Sequence, residues 1–98
     1  MDLDRVFDAL ASPARRGVLA ALAQSEDTTR ELARRFGVSA PAMSRHLSVL
    51  ENAGLVVSRR NGQRVLYSLV RDTVVEALGA FTATLAHSAA PRAPREPL

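Results

Sequence analysis

The segment Ser39–Gly54, SAPAMSRHLSVLENAG, reads as one helix with marked ends. Ser39 is a favoured N-cap, and Pro41 falls in the first turn, where a missing N–H costs nothing. Gly54 stops the helix. Met43, Leu47 and Leu50 recur at steps of four and three, so they share one side. Ser44, Arg45 and Ser48 occupy the other side, with His46 at its margin. A small domain has no packing reason to hold these polar groups up together. They face something outside the chain.

Upstream, Thr28-Thr29-Arg30-Glu31 has the form of a capping box, in which Thr28 and Glu31 satisfy each other's backbone N–H. It opens a short helix that buries Leu32, Ala33 and Phe36 and ends at Gly37. Only Gly37-Val38-Ser39 separates this helix from the next, so the two must cross steeply. That is the spacing of a helix-turn-helix. Leu3, Val6, Phe7 and Leu10 predict an amphipathic first helix. Ser12-Pro13 restarts the chain into a second, with Val18, Leu19 and Leu22 inward and Arg15 and Arg16 outward.

Downstream of Gly54, LVVSRRNGQRVLYSL predicts a β-hairpin turning at Asn61-Gly62. That turn sets Arg59 opposite Arg64 and Arg60 opposite Gln63. Like charges opposed across strands cost stability, so the tip expects an anion. Helical periodicity returns from Arg71 to Ser88, with Val74, Leu78, Phe81 and Leu85 in one stripe. The last ten residues, AAPRAPREPL, hold three of the five prolines and no periodicity. Residues 1–88 are therefore expected to form one domain and 89–98 a disordered tail.

Composition narrows the function. With 98 residues the chain has room for one domain, and such a domain buries only about 60–65% of its unfolded surface. A partner subunit would help it. Net charge is +3, and all thirteen basic residues are Arg. A GC-rich genome explains that choice; so does the match of the planar guanidinium to phosphate and guanine. Position favours the second, because Arg15 and Arg16, Arg34 and Arg35, and Arg59, Arg60 and Arg64 cluster. There is no cysteine, which excludes disulfides and thiolate metal sites and leaves the cytoplasm as the default location. No apolar run is long enough to span a membrane, and MDLDRVF is not the basic start of a signal peptide.

Helix, helix, helix-turn-helix, hairpin, helix is a winged helix, a mainly α fold of α+β class. Ser39-Ala40-Pro41-Ala42-Met43-Ser44-Arg45-His46-Leu47, then Leu50, Ala53-Gly54-Leu55-Val56, Gly62 and Tyr67, resembles the ArsR family of bacterial repressors. The opening Ala9-Leu10-Ala11-Ser12-Pro13-Ala14-Arg15-Arg16 is similar to that family's usual start. The resemblance runs from Leu3 to Leu69. It implies a homodimeric, sequence-specific DNA-binding repressor with an inverted-repeat operator. It also implies that the first and last helices pack across a two-fold axis, through Leu3, Val6, Phe7, Leu10, Val74, Leu78, Phe81 and Leu85. The helix from Ser39 would enter the major groove. There Arg45 would fork onto a guanine or hold a phosphate, and Ser44 and Ser48 would meet base edges or phosphates. Ala40 and Pro41 would make base or methyl contacts. His46 either joins them or packs at the margin. Backbone N–H groups near Thr28 and Ser39 suit phosphates. Arg59, Arg60 and Arg64 would follow the DNA backbone or enter the minor groove.

Many members of that family release DNA on binding metal, and neither ligand pattern is complete here. Thr28 and Arg30 stand where one group has cysteines. The other group's last-helix pattern is reduced to Asp72, Glu76 and His87, with Val74 where a histidine belongs. Asp72 and His87 lie about four turns apart and would meet only across an antiparallel dimer. No metal or cofactor is expected, and an effector or partner protein stays unidentified. An enzyme is not expected: no acid orients His46, and no phosphate loop exists. A protein-binding winged helix is the stronger rival, although the arginine content argues against it.

Overall fold

The computed structural model describes residues 1–88; the proline-rich segment 89–98, expected to be a tail, lies outside the described residues. Five helices and three strands follow in the order α1 (Leu3–Leu10), α2 (Pro13–Gln24), β1 (Asp27–Thr28), α3 (Thr29–Phe36), α4 (Ala40–Asn52), β2 (Val56–Asn61), β3 (Arg64–Leu69) and α5 (Arg71–Ser88). The small antiparallel sheet has the order β1-β3-β2. Val6, Ala9, Val18, Leu22, Leu32, Met43, Leu47, Leu50, Leu55, Val56 and Ala77 meet in a single core beneath it. No helix among the described residues is long and apolar enough to cross a membrane.

Four of the five helices start on a side-chain cap, three of them at the Ser or Thr that the sequence marks. Asp2, Ser12, Thr28 and Ser39 accept from the N–H three residues on, at 3.1, 3.2, 3.2 and 3.1 Å. The capping box at Thr28 is only half formed. Glu31 turns outward to pair with Arg34, and the Thr28 N–H donates instead to Asp27 Oδ1 at 2.9 Å. Thr28 is also in β1, opposite Leu66. The Asp27 carboxylate, one residue before the cap, stands in for the reciprocal bond.

α3 and α4 end alike. After α3, the Gly37 N–H reaches Arg34 O at 3.3 Å and the Val38 N–H reaches Ala33 O at 3.0 Å, with Gly37 at φ 67°. After α4, the Gly54 N–H reaches Glu51 O and the Leu55 N–H reaches Leu50 O, both at 2.9 Å, with Gly54 at φ 77°. These are Schellman closures, and the second adds apolar contact between buried Leu50 and Leu55. Both ends of α4 are thus fixed by local chemistry before any partner is considered.

Three expectations need correction. Phe36, expected in the core, is 38% exposed; its ring lies over Gly17, on the rim. Arg15 and Arg16 do not point freely outward. Arg15 donates to Ala9 O and Asp8 O at 2.8 and 3.0 Å, and Arg16 to Leu10 O at 2.6 Å. They close the carbonyl end of α1, which has no basic residue of its own in its last turn. The hairpin loop is Gly62-Gln63, with Asn61 paired to Arg64. Gly62, at φ 68°, takes the first loop position, where hairpin turns need positive φ. This register lets Val56 meet Leu69 at the core's edge, and the Val70 N–H continues to Leu55 O at 2.9 Å. The slip is two residues along β3, so faces are kept and partners change. Arg59 faces Leu66, and Arg60 faces Val65. The predicted arginine opposition does not occur.

A Cβ added at Gly37 would meet nothing within 4 Å, so the cost of a side chain there is conformational. Gly37→Ala should lower unfolding free energy in urea by about 1–2 kcal/mol, and Gly37→Asn by less, because Asn tolerates positive φ. An equal loss for both would assign the cost to crowding instead.

Candidate nucleic-acid interface

The outward side of α4 is set by its buried side. Met43, Leu47 and Leu50 are 1%, 0% and 0% exposed. Pro41, Ser44, Arg45 and Ser48 fall in an arc of about 100° opposite them, and all four are exposed. Ala40 is exposed at the helix start beside the Ser39 cap. His46 is half-buried at the margin and makes no side-chain hydrogen bond among the described residues. The exposed arc offers one guanidinium fork and two hydroxyls on a rigid rod.

Beside it, β2 and β3 carry Arg59, Arg60 and Arg64, all exposed. They are not equivalent. Arg59 Nη2 holds Glu26 Oε2 at 2.6 Å, and Ser68 Oγ donates to Glu26 Oε1 at 3.3 Å. Glu26 thereby ties β2 to β3 and masks one of the three cations. Arg60 and Arg64 make no intramolecular ion pair among the described residues, and neither does Arg45. A cleft of about 530 Å³ separates the wing from the start of α3, lined by Thr28, Thr29, Arg30, Gln63, Arg64 and Val65. Arg30, which spacing alone does not mark as a site residue, is exposed there without an ion-pair partner among the described residues. Only the β1–β3 pairing brings it near the wing.

Arg34 and Arg35, one of the arginine clusters in the sequence, are each paired with an acid. Arg34 pairs with Glu31, whose hydrogen bond raises the guanidinium pKa above its ordinary value. Arg35 pairs with Asp27 Oδ2 at 3.1 Å.

The apolar stripes at the two ends of the chain part company. Val6 is fully buried within the monomer, and Leu3, Leu10 and Val74 pack against the same core. Val6 is therefore withdrawn from the residues available to a partner: α1 is short, and its inward face closes its own fold. Phe7 is half-buried, its ring edge-on to Phe81 with centroids 5.3 Å apart. Beyond that contact α5 is uncovered, with Leu78, Phe81 and Leu85 at 46%, 42% and 55% exposed.

A helix displayed across a three-residue turn, flanked by a basic hairpin, defines the chain as a winged helix-turn-helix protein. More narrowly, it belongs to the arsR family of bacterial regulatory proteins, whose model matches residues 12–58. It is 36% identical over 67 residues to the transcriptional repressor SdpR of Bacillus subtilis (strain 168), covering 68% of this chain and 74% of that one. The crystal structure of an ArsR family transcriptional regulator superposes with a TM-score of 0.80 at 29% identity, covering 92% of this chain and 98% of the other. A solution structure from Mycobacterium bovis, described as a homodimeric winged helix-turn-helix DNA-binding domain, gives 0.70 at 29% identity, covering 95% and 85%. The chain is accordingly a transcriptional regulator.

An exposed arc held only by its own helix should contribute little to folding. Ser44→Ala, Arg45→Ala and Ser48→Ala should each change unfolding free energy by no more than about 0.5 kcal/mol in urea titration. A loss well above 1 kcal/mol would mean that this face serves the fold.

Proposed function

We propose that this DNA-binding regulator acts as a homodimeric repressor on an inverted-repeat operator, reading each half-site with α4 in the major groove. The observation that carries this is the arc of Pro41, Ser44, Arg45 and Ser48, raised opposite a fully buried seam and without an ion partner among the described residues. Arg45 is the base-reading residue. Arg60 and Arg64, with Arg30 across the cleft, hold phosphates. The N–H groups capped by Thr28 and Ser39 sit at helix starts, where a phosphate adds favourably. Dimerisation covers Leu78, Phe81 and Leu85. The homodimeric M. bovis relative and the repressor SdpR support that assembly and that sign of regulation. Half-sites then lie about one helical turn apart, near 34 Å.

Fluorescence anisotropy on operator and scrambled duplexes tests the assignment. Arg45→Ala should cost about 1–3 kcal/mol on the operator and relax base preference at one position per half-site. Arg60→Ala should weaken all duplexes alike and lower the salt slope by about 1 for each phosphate no longer neutralised. If Arg60→Ala changes the preferred sequence and Arg45→Ala does not, the two roles are exchanged. A weak, salt-insensitive interaction with DNA would favour a protein-binding winged helix instead.

Glu26 gives a gain-of-affinity test. Glu26→Gln releases Arg59 and removes a negative charge from the wing. Affinity for any duplex should rise roughly two- to fivefold, the scale of an exposed ion pair, with a steeper salt dependence. Unchanged affinity would show that Arg59 stays outside the interface.

A further inference from the structure

A groove of about 410 Å³ lies where the α1–α2 corner, the end of β3 and the start of α5 converge. Leu10, Leu19, Leu69 and Val74 supply its apolar wall, and Arg16 and Arg71 stand at its edge. Both guanidinium groups are anchored: Arg16 donates to Leu10 O at 2.6 Å and Arg71 to Ala23 O at 2.8 Å. Those are helix-end carbonyls, so each arginine is positioned by one N–H while most of its five donors stay open. Neither meets a carboxylate at ion-pair distance among the described residues, and no acidic side chain lines the groove. This sets them apart from Arg34, Arg35 and Arg59, each of which has an acid against it.

An apolar trough with two fixed, unneutralised cations is complementary to a molecule with an alkyl body and an anionic head. At roughly 30 Å³ per small group, the volume suits about a dozen heavy atoms. We propose that this groove binds a medium-chain carboxylate, its chain against Leu19, Leu69 and Val74 and its head on Arg16 and Arg71. Leu78, Phe81 and Leu85, assigned to a second copy, lie further along the helix and line no part of the groove, which they adjoin through Val74 and the exposed Val75. The site is independent of how the protein meets DNA, and so is its test.

Isothermal titration of the full chain with decanoate, below micelle formation, should show saturable binding at one site per chain. Decyltrimethylammonium, with the same tail and the opposite charge, should not bind. Arg16→Gln with Arg71→Gln should weaken decanoate about tenfold or more. Ala20→Trp, which fills the groove from an exposed position, should abolish binding while circular dichroism stays that of the parent. Equal binding of the cationic amphiphile, or decanoate binding that survives both variants, would overturn the proposal. So would absence of saturable binding with Ala20→Trp instead shifting the monomer–dimer equilibrium in sedimentation, which would give the groove to a second copy.

Discussion

Burial of one seam on α4 governs the rest of this molecule. Met43, Leu47 and Leu50 reach the core together, and a helix cannot bury one side without raising the other. Local chemistry at both ends fixes the rod's length: a serine cap at the start and a left-handed glycine at the finish. The turn before it allows only three residues, so α3 and α4 are held at a fixed crossing. The direction in which Arg45 points is then a consequence of packing. Nothing outside the protein is required to hold it there.

The arginines show how one residue type is divided among different duties. Some close helix ends: Arg15 and Arg16 for α1, and Arg71 for α2. Others are matched to acids, as Arg34 and Arg35 are beside the helix-turn-helix and Arg59 is on the wing. Arg30, Arg45, Arg60 and Arg64 have no acidic partner among the described residues. A positive net charge alone would attract a polyanion without orienting it. Pairing Arg34, Arg35 and Arg59 with acids takes those three out of that field, while the arginines bonded to helix-end carbonyls keep their charge in place at the helix ends.

α5 is poorly served by its own monomer. Ala77 is buried and Val74 packs on the core, but further along Leu78 and Leu85 stay exposed and Phe81 meets the ring of Phe7. Apolar surface left this way on a chain of 98 residues is costly in water. The same helix supplies a wall of the groove at its first turn and the uncovered stripe further on.

The sequence by itself determined the helices, their caps, the helix-turn-helix and the face of α4, because these rest on contacts within a few residues. Periodicity and turn chemistry read such contacts directly. Tertiary structure decided the matters that hinge on distant partners. The hairpin register depended on Val56 meeting Leu69 and on β3 also pairing with β1, so Asn61-Gly62 was an incomplete guide. Glu26 masks Arg59 from 33 residues away. Val6 went to the core instead of a partner and Phe36 to the rim instead of the core, because a helical stripe states that a face is apolar and not which surface will cover it. Short-range order is written in spacing. Which charge is free, and which apolar face is left open, is fixed only when the elements pack.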